Sequence, residues 1–170
     1  MNPMRRLLAG IATMAAVVLF SIPADAQIVA IGSSQTSGQG VGAGAAWPAQ
    51  LQAMLAAKGY NVQISNAGVN GDDSNDVRAW LSSAVPDGTK LVIIQAPGPR
   101  DKERGINTNA NVAAMVASMR ARGIKTITTS NIQSWAGGQL QPDGQHPSAG
   151  GHASIAAHLV PQVVAALGKK

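Results

Sequence analysis

The chain has 170 residues, 13 Lys and Arg against 8 Asp and Glu, a formal net charge of +5, and no cysteine. The lack of cysteine excludes disulfides, thiolate metal sites and lipid attachment at a cysteine. The basic residues are scattered, and their densest group, RDKERG at 100–105, carries its own acids; nucleic-acid binding calls for clustered Lys and Arg with aromatic platforms, so none is expected.

The first 26 residues read as an export signal. Arg5 and Arg6 give a positive start, IATMAAVVLFSI an apolar core, and ADA before Gln27 a small-x-small cleavage site. The apolar run is too short to span a bilayer comfortably, so no stable membrane insertion is expected after cleavage. The expected location is the periplasm or the outside of the cell. Residues 27–170 then make one domain of ordinary size. Without Arg5, Arg6 and Asp25 it keeps 11 basic and 7 acidic residues, a net charge of +4.

Strands are expected at 28–32, 60–65, 90–95 and 124–129, where apolar runs alternate with segments of helical spacing. Trp47, Leu51, Met54 and Leu55 form one apolar stripe, and Val77, Trp80 and Leu81 a second. Val112, Met115, Val116 and Met119 form a third, and Ile155, Leu159, Val163 and Leu167 the last. Pro48 suits a first helical turn, and Gly59 and Gly123 suit helix ends. The alternation predicts an α/β fold of flavodoxin-like, three-layer type, with a four- or five-stranded parallel sheet. In such sheets ligands bind beyond the carboxyl ends of the strands. Loops 32–44, 66–73 and 96–108 and the segment 130–147 should therefore converge on one rim.

The loop after the first strand, GSSQTSGQG at 32–40, is nearly all Gly, Ser, Thr and Gln. It lacks the lysine of a phosphate-binding P-loop, and GQGVGAG misses the dinucleotide spacing. A nucleophile turn needs a base and an orienter. QPDGQHPSAGGH supplies Asp143 and His146 three apart, with Pro142 and Pro147 restricting the backbone around them. In such a turn a carboxylate can accept from the imidazole Nδ1–H and leave Nε2 free for a serine hydroxyl. An ordinary surface histidine is the plain alternative.

Together these stretches resemble the SGNH, or GDSL-type, esterases and lipases. GSSQT at 32–36 stands where that family has its Gly-Asp-Ser-Leu turn, NAGVNGDDS at 66–74 where it has its second block, and Asp143–Pro147 matches its D-x-x-H-P block. The resemblance covers nearly all of 27–170. It implies Ser34 as nucleophile, His146 as base, Asp143 as orienter, and the N–H groups of Ser34 and Gly71 as oxyanion donors. The implied partner is a small-molecule ester, with no cofactor and no metal.

Two departures stand out. Ser33 replaces the usual Asp before the serine. The G-x-N-D block after the third strand is missing, and Pro99 or Arg100 falls where its oxyanion asparagine belongs. Proline offers neither a side-chain donor nor an N–H, which leaves Arg100, Asn131 and Gln95 as candidate substitutes. A chain that kept the fold and lost the hole would be an inert binding protein of the cell envelope. The short 130–142 segment implies an open, shallow site, with Trp135 either as a wall or as a cap on the core. Asp72, Asp73 and Asp76 are expected to complement a helix dipole. His152 and His158 are not expected to share a face for a metal.

Overall fold

The computed structural model of the protein describes residues 26–129 and 132–168. The expected export signal therefore lies outside the described residues, apart from Ala26. The strands are β1 (Ala26–Gly32), β2 (Val62–Gly68), β3 (Thr89–Gln95) and β4 (Lys125–Thr129). They form one parallel sheet in the order β2-β1-β3-β4. The helices are α1 (Ser34–Ser37), α2 (Trp47–Ala57), α3 (Ser74–Ala84), α4 (Gly98–Arg104), α5 (Thr108–Ala121) and α6 (Ala149–Leu167). Short 3₁₀ turns lie at Ala43–Ala45 and Ile132–Ala136.

Period-two alternation along the two central strands builds two cores. Ile28, Ala30, Leu91 and Ile93 pack on one face with Trp47, Leu51 and Leu55 of α2 and Ile155, Leu159 and Val163 of α6. Val29, Ile31, Val92 and Ile94 pack on the other with Val77 and Leu81 of α3 and Met115 and Met119 of α5. A parallel sheet covered on both faces needs apolar residues at every central position, which is why IVAI and LVII read as unbroken runs. Among the described residues the sheet has four strands, and no helix is long and apolar enough to cross a membrane.

The structure differs from the sequence reading in three places, the first being that the stretch read as a loop at 32–44 contains α1 and the start of a 3₁₀ turn. β2 runs from 62 to 68 because Asn66, Ala67 and Gly68 continue the ladder beside Ala30, Ile31 and Gly32. The stretch read as a single loop at 96–108 contains α4. Pro99 lies in its first turn, where a missing N–H costs nothing, and Gly105 closes it in the left-handed conformation with φ +66°.

Candidate active site

At the carboxyl end of β1 the chain turns through Ser33 into α1. Its anchor is Gln95, the last residue of β3, which is buried. The Gln95 Oε1 accepts from the Ser33 backbone N–H at 2.9 Å and from the Thr36 hydroxyl at 3.1 Å. A Cβ on Gly32 would lie 2.5 Å from that oxygen and 2.6 Å from Thr36 Oγ1, so only glycine lets the two strand ends meet this way. On the β2 side Asn66 Nδ2 donates to the Thr36 carbonyl at 2.8 Å. A Cβ on Gly68 would fall 2.3 Å from the Ser37 nitrogen. The turn is thus held from both neighbouring strands, with Ser34 half-buried at its crest.

The facing loop precedes α6. Leu140 and Pro147 form an antiparallel bridge, and the Gln141 N–H donates to the His146 carbonyl at 2.7 Å. Gln141 Nε2 donates to the Pro147 carbonyl at 2.9 Å and to the Gln39 carbonyl at 2.7 Å. One amide therefore ties the histidine loop to the serine loop. Inside it, Asp143 Oδ1 accepts from the backbone N–H groups of Gln145 at 2.9 Å and His146 at 3.0 Å.

These two loops bring Ser34, His146 and Asp143 into one hydrogen-bonded line. The imidazole Nδ1 lies 2.7 Å from Asp143 Oδ2, and Nε2 lies 2.9 Å from Ser34 Oγ. The His146 backbone N–H, its ring, and the Gln145 N–H hold the Asp143 carboxyl down to about 2. An ionised Asp143 accepts Nδ1–H, which leaves the Nε2 lone pair facing the serine hydroxyl.

Around this line runs an open cleft of about 350 Å³ that includes Gly71, Pro97, Pro99 and Arg100. The backbone N–H groups of Ser34 and Gly71 donate to nothing among the described residues. Gly71 has φ +89°, a turn conformation that favours glycine. Of the candidate substitutes for the missing asparagine, Arg100 is exposed and lines the cleft. Asn131 lies outside the described residues. Gln95 serves the serine turn instead: its oxygen faces Ser33 and Thr36, and its Nε2 donates to the Ala96 carbonyl at 2.9 Å.

α4, which presents Pro99 and Arg100, is fastened from beneath. The buried Asp101 accepts from the Ser74 N–H at 2.8 Å and the Thr108 hydroxyl at 2.6 Å. Arg104 pairs with Asp73 at 2.6 Å. Burial raises the Asp73 carboxyl, but Arg104 and the N–H groups of Asp76 and Asn75 outweigh it, and the group titrates below its ordinary range. Asp73 also caps α3 in a reciprocal capping box with Asp76. The third acid, Asp72, accepts from Trp80 Nε1 at 2.7 Å. The acidic cluster thus acts on a helix start, and it also locates α4.

Trp135 is absent from the cleft wall; it stacks on His158, with ring centroids 5.7 Å apart, and packs against the core. His152 is buried, its Nδ1 accepting from the Trp47 N–H at 3.2 Å. The sequence reading overlooked Gln141, Asp101 and Arg104. The first two act through bonds to backbone or hydroxyl groups that no local pattern announces. The start of α4, in contrast, was signalled by Pro99 and its end by Gly105.

No family model matches the chain. It is 30% identical over 116 residues to the esterase TesA of Pseudomonas aeruginosa, an alignment that covers 66% of this chain and 58% of the relative. The chain thus spans less than two thirds of that relative's length. Among solved structures, the crystal structure of TesA superposes with a TM-score of 0.73 at 22% identity, over 82% of this chain and 99% of that one. The psychrotrophic esterase EstA from a Pseudoalteromonas species gives 0.69 at 17% identity, over 82% and 97%. The lipase/acylhydrolase from Enterococcus faecalis gives 0.64 at 20% identity, over 81% and 95%.

Proposed function

We propose that this chain, which is similar in sequence to an esterase and in fold to esterases and lipolytic hydrolases of the SGNH/GDSL type, is a serine esterase acting on carboxylic esters. The observation that carries the reading is the unbroken line Asp143–His146–Ser34, with contacts of 2.7 and 2.9 Å. His146 Nε2 takes the proton as Ser34 Oγ attacks the ester carbonyl carbon. The Ser34 and Gly71 N–H groups receive the developing oxyanion. His146 then gives its proton to the departing alkoxide, so the alcohol leaves and an acyl-serine remains. Water, deprotonated in turn by His146, attacks that acyl carbon and releases the carboxylic acid and free Ser34. Asp143 holds the imidazole in the tautomer both steps need. The residues at 1–26 support export, with 27–170 as the working domain.

Pro99 favours a second reading, an inert binding protein, because one oxyanion donor is missing. Losing such a donor typically costs ~10²–10³ in kcat, which slows an esterase without abolishing it. Hydrolysis of p-nitrophenyl acetate by residues 27–170, beside Ser34→Ala and His146→Ala, separates the two. Turnover by the wild type, lost in both variants, is the expected result. Absence of turnover together with failure of a fluorophosphonate to label Ser34 would establish the inert reading.

A further inference from the structure

The cleft wall has an unusual chemistry for an esterase with lipolytic relatives. Around the Ser34–His146 line stand Gln35, Gln39, Gln133 and Gln145, together with Arg100 and Glu103. Among the described residues its apolar side chains are Pro97 and Pro99, and no Val, Leu, Ile, Met, Phe, Tyr or Trp lines it. An acyl chain gains affinity only by leaving water for apolar surface, and here that surface is two proline rings and the stems of polar side chains, with no pocket of branched aliphatic residues to take a long chain. Nor is there a usable patch beside it, since Val69 is the one large hydrophobic residue exposed among the described residues. Trp135, the aromatic candidate for a wall, is stacked on His158.

Four carboxamides carry out the opposite task. Each offers two N–H donors and a carbonyl acceptor, a mixed set that suits hydroxyl groups, which both donate and accept. Gln133 is partly committed, donating to the Gln145 carbonyl at 3.2 Å, whereas the side chains of Gln35, Gln39 and Gln145 make no bond among the described residues. Arg100 and Glu103 bring one charge of each sign, so the wall as a whole draws neither anion nor cation. At about 350 Å³ the cleft lies near the low end of the ~300–1,000 Å³ of small-ligand sites. That is room for one sugar-sized group and a short acyl.

We propose that the ester cleaved here joins a short acyl group, of acetyl size, to a neutral polyhydroxylated alcohol of the carbohydrate class. The inference rests on the serine-esterase reading and adds its substrate class. Without an aromatic platform the sugar is held by hydrogen bonds alone, so KM is high and the discrimination shows in kcat/KM. The cleaved bond is the acyl carbon–oxygen bond. The acyl group passes to Ser34 and then to water, and the polyol leaves with the proton from His146.

The test measures kcat/KM for residues 27–170 on glucose 6-acetate, which keeps its other hydroxyls free, and on cyclohexyl acetate, p-nitrophenyl acetate and p-nitrophenyl octanoate, each beside Ser34→Ala. The sugar acetate should exceed cyclohexyl acetate by about tenfold or more, the worth of one or two well-placed hydrogen bonds. Acetate should exceed octanoate on the nitrophenyl pair by a similar factor. Gln35→Leu and Gln145→Leu should lower the rate on the sugar acetate several-fold more than on p-nitrophenyl acetate. If octanoate matches acetate, or cyclohexyl acetate matches the sugar ester, while Ser34→Ala is dead, the substrate class is wrong and the esterase reading stands. If no ester is turned over, or if Ser34→Ala keeps the wild-type rate, both fall together.

Discussion

Gln95 decides where Ser34 stands. Its single carbonyl oxygen accepts from the Ser33 N–H and the Thr36 hydroxyl, and Gly32 leaves the space for it. Methionine has nearly the same shape and no comparable acceptor. Gln95→Met should therefore leave a buried N–H and a hydroxyl unpaired and let the turn shift. Misplacement by about 1 Å can cost ~10² in rate, so kcat should fall about that far while KM moves little. Gln95→Glu keeps an oxygen at the same point but turns a second oxygen, in place of the N–H donor, toward the Ala96 carbonyl, so it should recover only part of kcat. A methionine variant with wild-type kcat, or a glutamate variant no better than it, would show that the turn needs no such anchor. Asp143 and His146 could be singled out from the sequence because their turn carries Gly, Pro and Asp as local signals, whereas Ser34 was singled out by the resemblance of GSSQT to a known family's first block. Gln95 and Gln141 left no such trace. Their bonds join positions 62 and 102 residues apart, and a glutamine at a strand end or in a loop has no preferred role that its neighbours reveal.

At the scale of elements, α4 stands where a loop was expected. The turn chemistry of Pro97, Gly98 and Pro99 outweighed, in the sequence, the helical character of RDKER. In the structure the same prolines open a helix, and Asp101 and Arg104 pin it to the starts of α3 and α5. Asp101 is buried, and among the described residues it faces no cation. It is stabilised instead by the Ser74 N–H and the Thr108 hydroxyl. Asp101→Ala would orphan both, at about 1–3 kcal/mol for each buried group left unpaired. The urea midpoint should drop accordingly, and the cleft wall that α4 carries should loosen, raising KM. Asp101→Asn keeps an acceptor for Ser74 and should lose less than half as much. Equal losses in the two variants would mean that the negative charge, not the hydrogen bonds, holds the helix. The β-strands and the four long helices were legible to within a few residues, since the strands are apolar runs and the helices carry apolar stripes at helical spacing. The short helices α1 and α4, of four and seven residues, are settled by tertiary contacts.

Across the whole molecule, the serine turn leaves β1 and the histidine loop leads into α6, which packs beside α2 on one face of the sheet. His152 sits at that joint, in the first turns of α6, where its Nδ1 accepts the otherwise orphaned N–H of Trp47 at the start of α2. The acceptor exists only while the ring is neutral. Burial, and secondarily the positive charge of a protonated His146, lower its pKa from 6.5 to about 4. The helix N-terminus also disfavours a cation there. Above pH 6.5 the ring is neutral folded or unfolded and contributes no pH dependence. Between about pH 6.5 and 4 the unfolded chain binds a proton that the folded chain refuses. Stability therefore falls with pH in that window, at a limiting ~1.4 kcal/mol per unit. The depressed Asp143 acts in a different range: its contribution is complete above 3.8 and is lost as pH falls toward about 2. His152→Asn places an amide oxygen near the Nδ1 position and cannot take up the proton. Urea midpoints for wild type and variant at pH 7, 5.5 and 4.5 should therefore diverge, with the wild type losing stability more steeply toward acid. Parallel slopes would mean that His152 is readily protonated in the folded chain, and that the α2–α6 joint does not depend on its neutral form.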